Sequence, residues 1–128
     1  KLGIESEASI IFGLPGETYT DCLETINRVI KLNPTYSKFF YLTPYFSEFK
    51  EKIFNHGTYV VEDLNEYNES KPVFIPHSIT KEKLREVIPR AYREFYLRPS
   101  YIFNYLSGIK GLEDIKRAYN GFRAVLSL

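Results

Sequence analysis

The spacing of apolar positions along this chain changes several times, and each change marks an element. Ser9–Phe12 is a short apolar run bounded by turn signals, which predicts a strand buried on both faces. Gly13-Leu14-Pro15-Gly16 interrupts it with two residues free in φ and one whose φ is fixed. Glu17 and Thr18 predict a helix start, a carboxylate set against the helix dipole and a hydroxyl cap. From Thr18 to Leu32, Cys22, Leu23, Ile26, Val29 and Ile30 fall on one helical face, and Asn33-Pro34 ends the pattern. Tyr36–Thr43 (YSKFFYLT) is aromatic-rich and stops at Pro44, so it predicts a second strand. Strand, helix and strand in this order predict a βαβ unit with parallel pairing and a right-handed crossover.

Beyond Pro44 the pattern becomes shorter in range. Pro44–Ser47 is a loop on the same side as the Gly13–Gly16 turn. Glu48–Asn55 predicts a short helix with Phe49, Ile53 and Phe54 inward. Tyr59-Val60-Val61 predicts a short strand before the polar run DLNEYNES, and PVFIP (Pro72–Pro76) an extended segment or edge strand. Thr80 is a helix cap for Leu84, Val87, Ile88, Ala91, Tyr92 and Phe95, with Pro89 inside the stripe predicting a kink rather than an end. Arg98-Pro99 opens another helix that Gly108 closes. A last helix, from about Leu112 to Leu126, is expected to bury Leu112, Ile115, Tyr119, Phe122 and Leu126. The fold class expected is α/β, with residues 1–78 mixed and residues 79–128 all helical, separate or as one compact unit.

Composition narrows the functional classes. With 128 residues and 44% hydrophobic content the chain suits one modest core, and no apolar run approaches a membrane span. The net charge of +1 offers no electrostatic footprint for nucleic acid or an anionic membrane. One cysteine, Cys22, rules out an internal disulfide and fits a reducing, cytoplasmic setting. The chain has no Met, and Leu2-Gly3-Ile4 reads as the tail of a helix, so an excised piece of a longer protein is expected.

The chemistry is concentrated in the turn after the first strand. It lacks the Gly-Lys-Ser/Thr ending of a phosphate loop and the G-x-G-x-x-G of a dinucleotide loop. Its reading as a plain structural turn stays open. His56 and His77 have no metal-ligand spacing and read as surface residues. Cys22 lies on an apolar helix face and reads as a buried, inert thiol. Glu62, Asp63 and Glu66 read as a solvated patch, and RAYREFYLRPSYIFNYL as core rings with snorkelling arginines rather than an RNA surface.

Taken in order, IIFGLPGET, the helix with Leu23-Glu24-Thr25-Ile26, FFYLTPY and AYREFYLRP resemble the C-terminal half of radical S-adenosylmethionine enzymes, in the branch that often carries a cobalamin-binding domain. The resemblance runs from about Gly3 to Tyr105. It implies a partial parallel (β/α)6 barrel, of which this chain is a half-barrel of two to four strands with an all-helical extension. It also implies S-adenosylmethionine and a 4Fe-4S cluster in the parent protein, with cobalamin as a further option, and neither bound to this piece alone. The adenine would be walled by Ile11, Gly13, Leu14 and Pro15 and by Leu42, Thr43 and Pro44, with no catalytic residue or metal ligand in this chain. Core packing is the rival reading for Ile11 and Leu42. The implied partners are the missing N-terminal half of the chain and a small-molecule substrate, with no nucleic acid and no membrane. Two departures stand out: Cys22 alone cannot supply CxxxCxxC, and Tyr45-Phe46-Ser47-Glu48 replaces a tighter turn after the sixth strand. Two alternatives from other classes stay open: a non-catalytic helical interaction module, and a small-molecule binding domain using the Gly-Leu-Pro-Gly loop.

Overall fold

The computed structural model describes residues 4–61, 63, 65, 67, 70–108 and 111–127, apart from the side chains at 112, 114 and 117. The expectations placed on Leu2-Gly3, on Glu62 and Glu66 and on the Leu112 side chain lie outside the described residues. The fold is α/β. Strand β1 (Glu7–Phe12) leads into helix α1 (Tyr19–Leu32) and strand β2 (Tyr36–Tyr41). Helix α2 (Ser47–Ile53) and a single 3-10 turn (Phe54–His56) precede strands β3 (Gly57–Tyr59) and β4 (Phe74–Pro76). Helices α3 (Lys81–Tyr96), α4 (Pro99–Ser107) and α5 (Leu112–Leu126) follow.

Strands β1 and β2 pair in parallel, in register from Glu7 opposite Tyr36 to Phe12 opposite Tyr41, as the sequence pattern predicts. No closed barrel forms among the described residues, where the sheets are this pair and an antiparallel pair of β3 with β4. The expectation that β1 is buried on both faces is corrected by the alternation of its side chains. Ala8, Ile10 and Phe12, with Ser37, Phe39 and Tyr41 beside them, turn to the core, whereas Glu7, Ser9 and Ile11 are exposed. Helices α1 and α3 cover one face of this sheet, and among the described residues the other face stays largely exposed. The short apolar run shows hydrophobicity but not which side a neighbour covers.

The main core joins Phe12, Ile26, Val29, Phe39, Leu84, Val87, Ala91 and Phe95 from β1, α1, β2 and α3. A smaller cluster of Leu42, Ile53 and Phe74 holds the β3–β4 pair. Helix α1 opens on a full capping box, in which Asp21 N–H donates to the Thr18 hydroxyl and Thr18 N–H to the Asp21 carboxylate. It closes on Asn33 in the left-handed region at φ 53°. Helix α3 runs through Pro89 without ending. Proline has no N–H for the Arg85 carbonyl, and the Tyr41 hydroxyl donates to that carbonyl instead, at 3.0 Å. The unpaired backbone group inside the helix is thereby matched from the sheet.

A ladder of rings crosses the molecule. Phe12 stacks on Phe39 and Phe39 meets Tyr92 edge-on, followed by Tyr96, Tyr101, Tyr105 and finally Phe122 of α5, at centroid spacings from 5.0 to 6.2 Å. The Arg98 guanidinium lies 4.1 Å from the Phe95 centroid, the snorkelling arrangement expected of that run. Three apolar assignments are corrected. Phe49 and Phe54 are exposed and only Ile53 of that helix is buried, because a seven-residue helix presents a single turn to Leu42 and Phe74. In α5 the inward residues are Ala118, Phe122 and Val125, while Ile115, Tyr119 and Leu126 face solvent. Two stripes that share Phe122 fit that sequence, and packing of α5 on α3 selects between them. The third strand is Gly57–Tyr59 rather than Tyr59–Val61, since β4 pairs with it through Tyr59 opposite Phe74.

Candidate functional site

Because β1 and β2 are parallel, the loops that follow them leave the same end of the sheet. Leu42 N–H donates to Phe12 C=O at 2.8 Å and ties the two loop origins together. The residues expected to wall an adenine divide into two sets here. Ile11 and Leu14 are accessible, 49% and 44% exposed, and Ile11 stands on the open sheet face beside Phe40. Gly13, Leu42 and Pro44 are buried, and Pro15 and Thr43 half-buried. Leu42 belongs to the Ile53–Phe74 cluster, and the Thr43 hydroxyl donates to the Tyr41 carbonyl at 3.2 Å.

The turn itself is held from within. Gly13 and Gly16 have φ of 86° and 82°, which side chains with a Cβ rarely adopt. A Cβ on Gly13 would also meet the Leu84 methyls at 3.5 Å. The Glu17 carboxylate folds back and accepts from Gly13 N–H at 2.6 Å and Leu14 N–H at 3.1 Å. The Ser78 hydroxyl donates to Glu17 C=O at 2.6 Å and pins the loop to the segment before α3. Glu17 therefore fills the amide pocket of the loop instead of facing the helix dipole, the placement read from its sequence position. A phosphate would find those donors already taken, in keeping with the absent phosphate-loop residues. Sequence position does not reveal this role, because it depends on the loop folding back over the carboxylate.

Cys22 lies fully buried behind the loop. Burial pushes its thiol up to about 12, and the neighbouring Glu17 carboxylate adds to the shift, which makes it a poor nucleophile. His56 and His77 are exposed. Among the described residues no three His, Cys, Asp or Glu side chains gather as a metal site would require, and no helix is long and apolar enough to cross a membrane.

The fold and site define an α/β protein with its candidate binding wall at the C-terminal ends of two parallel strands. No family model and no solved structure matches the chain. It is similar to a protein of Pyrococcus horikoshii named as an uncharacterized methyltransferase, 29% identical over 126 residues. That match takes in 98% of this chain and 27% of the relative, so the chain spans about a quarter of the relative's length. The similarity corrects the reading as a piece of a radical S-adenosylmethionine iron–sulfur oxidoreductase. The relative is named for methyl transfer, and neither a 4Fe-4S cluster nor cobalamin has support in it or in the side chains described here. The misreading arose because Gly-Leu-Pro-Gly turns and aromatic helix runs serve packing in many α/β proteins, and their order alone does not specify the reaction.

Proposed function

We propose that this chain is part of an S-adenosylmethionine-dependent methyltransferase acting on a small molecule, and that it contributes the wall beside the cofactor's adenosyl end. The observation that carries the reading is the similarity to a named methyltransferase along nearly the whole chain. The open face of the sheet supports it. Parallel sheets are ordinarily covered on both faces, and Ile11 and Leu14 offer an apolar surface at the strand ends where α/β proteins bind ligands. In this reading β1, α1 and β2 are one section of a larger parallel sheet or half-barrel. Residues 79–128 form its helical extension, packed into a single unit through Leu84, Val87 and Phe95.

The residues present fit one end of the cofactor. Ile11 and Leu14 would pack on a flat ring, and the strand end at residues 42–44 would bring backbone groups alongside it. Glu17 occupies the Gly13 and Leu14 amides, so the ring would be held by packing rather than by loop donors. When bound, the cofactor supplies an electrophilic methyl group on its sulfonium. Groups for the ribose and the amino acid end, and the methyl acceptor's own site, would come from the rest of the larger protein.

Titration of the chain with S-adenosylmethionine, followed by amide chemical shifts, tests the proposal. Shifts at residues 10–16 and 42–44, weakened in Leu14→Asp, are the expected result. Saturable shifts centred elsewhere, or binding indifferent to Leu14→Asp, would overturn it.

A further inference from the structure

A cavity of about 590 Å3 lies between the outer edge of β2, helices α3 and α5, and residues 70–72. None of the residues at 11–15 or 42–44 lines it, so a ligand held there is independent of the methyltransferase reading. Its size falls within the roughly 300–1,000 Å3 typical of small-molecule sites. Its walls are ring and hydrocarbon surface, with Phe39, Tyr92, Pro89 and Val125 among them. Its charge among the described residues is one-sided: Lys71 and Arg85 line it, and no described carboxylate does. Neither cation takes part in an ion pair among the described residues, although six such pairs form elsewhere.

The strand edge adds directional groups. The parallel register turns the backbone groups of residues 37, 39 and 41 away from β1. At Ser37 they are closed by one phenol, the Tyr96 hydroxyl, which accepts from Ser37 N–H at 3.0 Å and donates to Ser37 C=O at 2.7 Å. Phe39 and Tyr41, farther along the same edge, line the cavity. No side chain caps the Phe39 backbone groups among the described residues.

We propose that this cavity binds a small organic anion with a planar ring. Its acid group would be met by Lys71 and Arg85, and its ring would lie against Tyr92 and Pro89, with a polar ring atom reaching the Phe39 edge. Charge sets the class, because the two cations among the described lining residues favour an anion and disfavour a cationic ligand. The flat walls and the volume set the rest.

The probe is 8-anilinonaphthalene-1-sulfonate, compared with N-phenyl-1-naphthylamine, which has the same ring body and no charge. The sulfonate should bind more tightly than the neutral compound, with amide shifts at residues 39–41 and 85–92. Lys71→Glu with Arg85→Glu should weaken the sulfonate by about ten-fold or more, the scale of lost charge-assisted contacts, and leave the neutral probe unchanged. Both side chains are exposed, so far-UV circular dichroism should not change. Val125→Trp, which fills the space from α5, should abolish binding of both probes and serves as the second variant if the charge reversals unfold the chain. Equal affinity for the two probes, no response to either variant, or shifts centred on the exposed rings of residues 45–54 would overturn the proposal.

Discussion

A single proline decides how α3 meets the sheet. Pro89 leaves the Arg85 carbonyl without a helical donor, and the Tyr41 hydroxyl takes its place. Tyr41→Phe should therefore cost about 1 kcal/mol, the net worth of a part-buried hydrogen bond. In a Pro89→Ala background the helix regains an N–H at that position, and the same change should cost less than about 1 kcal/mol. Urea denaturation of the four proteins measures the coupling, and equal costs in both backgrounds would refute it. Gly13→Ala should destabilise by about 1–2 kcal/mol, because φ of 86° is unfavourable for an L side chain. Buried hydroxyls and the thiol also set a limit at high pH. Burial raises Tyr41 and Tyr101 from 10.0 to about 12, and burial followed by the Glu17 charge raises Cys22 from 9.0 to about 12. The unfolded chain releases these protons first, so what these three groups contribute to stability should be lost as pH rises between about pH 9 and 12. Denaturation midpoints at pH 8, 10 and 11 test the sign.

Element by element, the chain divides into parts that local chemistry specifies and parts that neighbours specify. Helix α1 is of the first kind: its stripe, its Thr18 cap and the Asn33-Pro34 stop all stand in the sequence, and the structure follows them. Thr18→Ala should cost about 1 kcal/mol by removing the cap, measurable as a shift of the urea midpoint. The parallel pairing of β1 with β2 was legible for the same reason, since a strand–helix–strand pattern leaves few alternatives. Helix α5 is of the second kind. The stripe Ile115, Tyr119, Phe122 and Leu126 is as good as Ala118, Phe122 and Val125, and packing of α5 on α3 chooses between them. The exposed face of β1 is similar, because nothing local tells Ile11 that its side of the sheet is half open while Phe12 is packed in the core. For the candidate wall, Gly13 and Leu14 were visible as turn residues. The Glu17 carboxylate closing their amides, and the burial of Leu42 and Pro44, depend on contacts that spacing alone does not reveal.

At the scale of the whole molecule, the parallel pair makes the sheet asymmetric. One edge of it is stopped at Ser37 by Tyr96, whereas the outward groups of Glu7, Ser9 and Ile11 on β1 meet no strand among the described residues. Amide exchange should show this as an alternation along one strand, slow at Ile10 and Phe12 and faster at Ser9 and Ile11. Uniform protection would instead mean that β1 is paired with a second molecule. The ring ladder from Phe12 to Phe122 has a consequence of another kind. The chain has 11 Tyr and no Trp, so its emission comes from tyrosine alone. Tyr92, Tyr96, Tyr101 and Tyr105 stand ring beside ring, close enough for excitation to migrate among them before light is emitted. The helical half of the molecule is thus an optical antenna. Quenching one of its rings should dim the set, and separation of α4 from α3 should be seen as a rise in emission anisotropy without any added label.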